Sequence, residues 1–286
     1  MRIAARRRAD WVLSPYAHEG RQRQARVNGE WTDVVEWGEG EPIVLVPGLA
    51  GGWKLLAPLA ARLARHHHVI VPGLRGDRFP GGAPAARDLG DLARDLGMLL
   101  DQMGLERPAL FGVSFGGAVA LELATSQPSR IGALVVHGAE ARFRSSLGAK
   151  IARRVLERFP LPSDNGFVNQ FFNLLHGGRP ESGALSDFVV ERCWETDQSV
   201  MAQRIGLLSS FDVSDRLWRI GIPTLVLAGT RDVIVPLSRQ RALAAGIAGA
   251  RFEALEGAGH VGFLTHRAEI IRQVRGFLGQ VRHSHC

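Results

Sequence analysis

The chain has 286 residues, a formal net charge of +7, 45% hydrophobic residues and two cysteines. That length supports one large α/β unit, which buries roughly 75% of its unfolded surface and needs no metal or disulfide staples. Cys193 and Cys286 are too far apart in the chain to read as a disulfide framework, and they predict a reducing, cytoplasmic setting.

The positive charge is concentrated at the front. Residues 1–26 carry seven arginines against Asp10 and Glu19, leaving +2 for the rest. Lysine occurs only at Lys54 and Lys150, so the basicity is an arginine bias rather than a nucleic-acid-binding face, and no nucleic-acid partner is expected. Residues 1–26 are read as a basic, partly disordered arm. Contact with an anionic membrane surface or an acidic partner is the competing reading, and the acid-poor composition also has the look of a transit peptide. No apolar core follows Arg6-Arg7-Arg8, so the arm is not a secretory signal. No run approaches 18 apolar residues, so no transmembrane helix or stable membrane insertion is expected.

Thr32–Trp37 reads as a strand, and Pro42–Val46 as a β-branched run of the kind buried on both faces of a parallel sheet. The loop Pro47-Gly48-Leu49-Ala50-Gly51-Gly52-Trp53 follows, then a helix near Leu55–Arg65 and a strand at His68–Val71. Leu89, Leu92, Leu96, Leu99, Leu100 and Met103 form one helical stripe. Strand Pro108–Val113, helix Phe115–Thr125 and strand Ile131–Val136 come next. From 141 to 218 the strand rhythm stops. Lys150–Phe159, Gly166–Leu175, Leu185–Trp194 and Ser199–Leu208 read as helices. Strands resume at Pro223–Ala228 and Arg251–Leu255, and Glu269–Leu278 is a last amphipathic helix. The expected fold is α/β, a mostly parallel sheet with helices on both faces. Its core comprises 27–140 and 219–282, and 141–218 is a helical cap over the sheet's carboxyl edge.

Gly112-Val113-Ser114-Phe115-Gly116 sits between a strand and a helix, where a tight turn lifts the serine hydroxyl above the sheet. A serine needs a base to remove its proton during attack. Of ten histidines, His260 stands in a glycine-rich loop directly after the last strand, while His66–His68 read as a helix end entering the sheet. The base needs a carboxylate to fix its tautomer. Asp232, in the turn after strand Thr224–Ala228, supplies it in the order Ser, Asp, His, and Glu140 is the competing acid. The backbone N–H groups of Phe115 and Leu49 are the expected oxyanion donors.

On these motifs, Pro47-Gly48-Leu49, Gly112–Gly116, Gly229–Asp232 and Gly259-His260, the chain resembles the α/β-hydrolase superfamily from about residue 26 to 280. Relatives commonly carry His-Gly where this chain has Pro47-Gly48. Pro72–Asp77 resembles the family's loop after the next strand, with glycine where aspartate is frequent. A serine at 114 separates it from the branches with an aspartate nucleophile, the haloalkane dehalogenases and epoxide hydrolases. The resemblance implies a serine hydrolase of a small to medium, mostly apolar carboxylic ester, acting through an acyl-enzyme without cofactor or metal. A carbon–carbon bond hydrolase, a perhydrolase, an acyltransferase and a non-catalytic receptor for a small molecule are the alternatives. Trp53, Phe171 and Trp194 are the candidate substrate-binding aromatics, although aromatics at helical spacing also serve as core.

Overall fold

Asn28-Gly29 turns the chain between two antiparallel strands, β1 (Arg21–Val27) and β2 (Glu30–Trp37), with φ of 51° and 83° at the two turn residues. Positive φ at both positions gives a hairpin turn whose twist matches that of the flanking strands. The computed structural model describes residues 20–77, 86–144, 147–159, 161, 172–178 and 183–283. It corrects the boundary expected for the basic arm, because residues 21–26 belong to the sheet. Ala25 and Val27 are buried while Arg21 and Arg26 are exposed, and an edge strand tolerates charge on its free side. The rest of the expected arm, residues 1–19, lies outside the described residues.

The chain continues through β3 (Pro42–Val46), α1 (Gly52–Leu63), β4 (His68–Pro72), α2 (Leu89–Gln102), β5 (Ala109–Val113), α3 (Phe115–Ser126) and β6 (Ala133–His137). Among the described residues α4 (Leu147–Arg158), α5 (Ala184–Trp194) and α6 (Gln198–Leu208) follow. The chain then returns through β7 (Thr224–Gly229), α7 (Leu237–Ala245), β8 (Arg251–Leu255), a short α8 (Gly262–Thr265) and α9 (Arg267–His283). The sheet order is β1-β2-β4-β3-β5-β6-β7-β8. β2 pairs antiparallel with β1 and β4, and the remaining neighbours are parallel.

The alternation of side chains along each strand divides the core in two. Ile43, Leu45, Phe111, Val113, Leu225 and Leu227 join α1 and α9 in one cluster, and Val44, Val46, Leu110 and Val226 join α2 and α3 in the other. Each buried aliphatic or aromatic side chain contributes about 1.5–3 kcal/mol, so apolar runs without polar alternation are what a doubly covered sheet requires. β3 and β5 are neighbours, yet α1 and α3 pack on opposite faces. The loops leaving their carboxyl ends therefore diverge and leave a crevice, the place where open α/β sheets bind ligands.

The helices between β6 and β7 reach back to the loops around that crevice. Gly51 donates its N–H to Thr196 Oγ1 (2.9 Å), Val261 donates to the Leu175 carbonyl (3.2 Å) and Arg231 to the Gly177 carbonyl (3.2 Å). Of the helix expected over Gly166–Leu175, residues 172–175 are helical and 162–171 lie outside the described residues. No described helix is long and apolar enough to cross a membrane.

Phe111 is fully buried between β5's neighbours and the α1/α9 face. Phe111→Ala is expected to cost about 3–5 kcal/mol, read from the midpoint of urea denaturation. A midpoint matching the unsubstituted protein would contradict the packing described.

Candidate active site

β5 ends in Val113, and Ser114 follows with φ 53° and ψ −115° before α3 begins at Phe115. For a residue with a side chain this backbone is strained. The strain persists because both ends of the turn are held. Ser114 N–H donates to the His137 carbonyl (2.8 Å), extending the β5–β6 ladder, and the Ser114 carbonyl accepts from Gly117 (2.8 Å) and Ala118 (3.2 Å). Two glycines make the turn possible. A Cβ at Gly112 would lie 2.6 Å from the Gly116 carbonyl oxygen, and one at Gly116 would lie 2.2 Å from the Val46 carbonyl oxygen. Both collisions are with backbone, which cannot swing away.

Ser114 Oγ lies 2.8 Å from His260 Nε2, and His260 Nδ1 lies 2.9 Å from Asp232 Oδ2. His260 and Asp232 are both buried. Asp232 Oδ1 accepts the N–H groups of Ile234 and Val235, each at 2.9 Å, and Gln240 Nε2 reaches Oδ2 at 3.3 Å. Burial pushes the Asp232 carboxyl upward, but the charge and hydrogen bond of His260 and the Val235 N–H outweigh it, and the net shift is downward. The carboxylate is thus held ionised beside the imidazole.

Glu140, the rival acid, is also buried but faces Arg239 Nη1 at 3.1 Å, and it has no bond to His260. Burial raises its carboxyl above the usual range, with Arg239 opposing. The structure therefore brings Asp232, and not Glu140, to His260.

Phe115 is the first residue of α3, so its N–H has no carbonyl one turn back to bond and points toward the positive end of the helix dipole. The loop carrying Leu49 lies against the elbow, since a Cβ on Gly48 would come 3.5 Å from the Val113 carbonyl oxygen and 3.8 Å from Ser114 Cβ. Proline at 47 removes an N–H but not that of Leu49. The expected aromatics are placed less directly. Trp53 packs against the core with its ring 6.1 Å from that of Trp37, Trp194 packs on Phe172 and donates Nε1–H to the Leu161 carbonyl (3.0 Å), and Phe171 lies outside the described residues. A cavity of about 290 Å³ lined by Trp53, Lys54, Arg75, Asp77 and Thr196 opens beside the Leu49 loop, but neither Ser114 nor His260 lines it.

Three residues were not singled out in the sequence. Gln240 bridges Asp232 and the Val235 carbonyl (2.7 Å). Arg204 donates Nη1–H to the Leu49 carbonyl (2.9 Å). His137 is completely buried behind the triad, bonds the Leu227 carbonyl through Nδ1 (3.0 Å), and is pushed down to about 4, chiefly by burial. The signal for Arg204 was present: it interrupts the apolar stripe Val200, Met201, Leu207 and Leu208 of α6.

Because His137 stays neutral in the fold but protonates in the unfolded chain near its ordinary value of 6.5, the unfolded state binds more protons between about pH 6.5 and 4. Stability therefore falls as the pH drops through that window, by an amount on the order of 3 kcal/mol from this group. Urea denaturation across pH 4–7 is expected to show a shallower decline for His137→Gln than for the unsubstituted protein. Parallel profiles would remove His137 as the source.

Residues 41–267 match the family model described as the alpha/beta hydrolase fold. The chain is 32% identical over 266 residues to a Variovorax paradoxus (strain S110) protein bearing the name "Putative carbamate hydrolase RutD", covering 85% of this chain and 93% of that one. It is 30% identical over 257 residues to a pimeloyl-[acyl-carrier protein] methyl ester esterase of Xanthomonas campestris pv. campestris (strain B100), covering 86% and 97%. Among solved structures, a thermophilic esterase from Thermogutta terrifontis superposes with a TM-score of 0.79 at 24% identity over 91% of this chain and 99% of that one, a likeness of fold. The chain belongs to the α/β hydrolase fold family, and it is a hydrolase.

Proposed function

We propose that the protein hydrolyses a small to medium, mostly apolar carboxylic ester through an acyl-enzyme on Ser114. The observation that carries this reading is the continuous hydrogen-bonded chain from Ser114 Oγ through His260 to Asp232, at 2.8 and 2.9 Å, on a strained turn at the mouth of the crevice. In the attack, Ser114 Oγ bonds to the ester carbonyl carbon while its proton passes to His260 Nε2. The carbonyl oxygen takes up negative charge and accepts from the N–H groups of Leu49 and Phe115. Asp232 accepts the Nδ1–H of the imidazolium and so keeps the acceptor nitrogen facing the serine. Collapse expels the alcohol oxygen, which takes the proton from Nε2. Water then attacks the acyl carbon, gives its proton to His260, and the acid leaves as Ser114 recovers its hydrogen.

Helices α4–α6 act as a cap over this crevice, and Trp53 and Trp194 supply apolar surface to the acyl group. The methyl ester named for the Xanthomonas relative is consistent with the ester reading. A carbamate is the second substrate class, favoured by the name of the Variovorax relative; its carbonyl admits the same attack. Nitrophenyl esters of graded chain length, tested beside a simple carbamate, separate the two.

Intact-mass labelling with a fluorophosphonate is expected to add one adduct to the unsubstituted protein and none to Ser114→Ala or His260→Ala. Asp232→Asn is expected to lower kcat by roughly three to four orders of magnitude, since the amide favours the wrong imidazole tautomer. Failure of the folded, unsubstituted protein to label, or labelling of Ser114→Ala, would sink the reading.

A further inference from the structure

Among the described residues Arg204 is the largest fully buried side chain, and it comes from α6. Its guanidinium donates to the Leu49 carbonyl (2.9 Å) and to Asp77 Oδ1 (2.7 Å) and lies 5.7 Å from the centre of the Phe115 ring. Asp77 in turn closes its own loop after β4 by accepting the Leu74 N–H at 2.7 Å. One cation thus bonds Leu49 and lies over the ring of Phe115, the two residues read above as oxyanion donors. Removing an arginine from water is expensive, and an apolar side chain would fill this junction at less cost. Nε has no hydrogen-bond partner among the described residues, which adds to that cost. The fold accepts that penalty at a junction where the guanidinium bonds the loops after β3 and β4.

We propose that Arg204 is a positioning residue that holds the oxyanion loop in its working shape and ties that shape to the seating of the cap. The proposal rests on Ser114 acting as nucleophile. The planar fork fixes the Leu49–Ala50 peptide through its carbonyl and so limits rotation of the Leu49 N–H on the preceding peptide. Its charge is paired with Asp77 at 2.7 Å, so its part is to hold the shape of the loop rather than to lend net positive charge to the oxyanion. Two more contacts from the α5–α6 turn reach the same segment: Thr196 Oγ1 accepts the Gly51 N–H (2.9 Å), and Glu195 pairs with Lys54 (2.8 Å). A cap lifted from the core would lose all three contacts, and the oxyanion loop would lose its outer support. Hydrolysis would therefore be confined to the closed arrangement.

The test uses a trifluoromethyl ketone, whose adduct with Ser114 places a negative oxygen between the two N–H groups, beside nitrophenyl ester kinetics and melting temperature. Arg204→Met is expected to lower kcat and ketone affinity together, by about tenfold to a hundredfold, with KM within about twofold, less than the loss typical of deleting a donor outright. Arg204→Lys, which keeps the charge but not the fork, is expected to recover part of both. Thr196→Val is expected to lower both by about threefold, because its bond supports the loop one step further out. An Arg204→Met protein whose ketone affinity is unchanged, or whose loss lies in KM alone, overturns the proposal. Should Arg204→Met fail to fold, unchanged ketone affinity in both Arg204→Lys and Thr196→Val overturns it equally. An unsubstituted protein that forms no ketone adduct and takes no fluorophosphonate refutes the nucleophile itself, whereas normal adducts across all variants refute only Arg204.

Discussion

The turn at Ser114 is the constraint to which the rest of the site is fitted. A serine at φ 53° and ψ −115° sits in a sparsely populated region that costs about 1–3 kcal/mol, so its surroundings must over-determine it. They do so with backbone alone. The Ser114 N–H continues the β5–β6 ladder onto His137, its carbonyl caps the start of α3, and Gly116 lies directly against the carbonyls of Val46 and Pro47. That last contact has two effects. The glycine that lets the chain turn also sets how closely the Leu49 loop approaches the serine, so the two segments are spaced by one packing contact.

Charge is distributed around the turn by the same economy. Asp232 divides its labour between two oxygens: one binds the N–H groups of its own loop, and the other binds His260 and Gln240. Four donors make a buried carboxylate tolerable, since each bond to the charged form offsets part of its desolvation. Helix α7 sorts the two acids at this edge of the sheet. Arg239 engages Glu140 and the adjacent Gln240 engages Asp232, so only one carboxylate is left facing the imidazole. His137, neutral and apolar in effect, fills the space behind them without adding a competing charge.

The helices between β6 and β7 meet the rest of the fold at polar contacts, from the buried Arg204 to the exposed Lys54–Glu195 pair, as well as at apolar ones. Arg204, Thr196 and Glu195 all reach the segment Leu49–Lys54, and Arg231 and Val261 are held from Leu175 and Gly177. The inserted helices are thereby bonded to the loop of each member of the site except the elbow, where Arg204 stacks on Phe115. Polar junctions of this kind depend strongly on geometry.

Much of this was legible in the residue order because its causes are local. The apolar runs of β3, β5 and β7 declare burial on two faces, and strand, glycine, serine and glycine in succession declare the elbow. His260 and Asp232 could be chosen because each follows a strand at the same edge of a parallel sheet. Strand β1 was not read, since its arginines spoke for an arm while the Asn28-Gly29 turn beside it spoke for a hairpin; cross-strand pairing decided between them. The pairing of Glu140 with Arg239 likewise needed the register of β6 and α7 in space. Arg204 lay furthest from reach. It is one arginine among many, and its partners Leu49 and Asp77 stand 155 and 127 residues away in the chain. By itself the sequence determined the fold class and picked out Ser114, Asp232 and His260 as candidates, because backbone geometry and hydrophobic periodicity are written over a few neighbouring residues. Only the tertiary structure showed that Asp232 bonds His260 while Glu140 bonds Arg239, and that Arg204 reaches Leu49, because a buried charge takes its meaning from the partners that surround it.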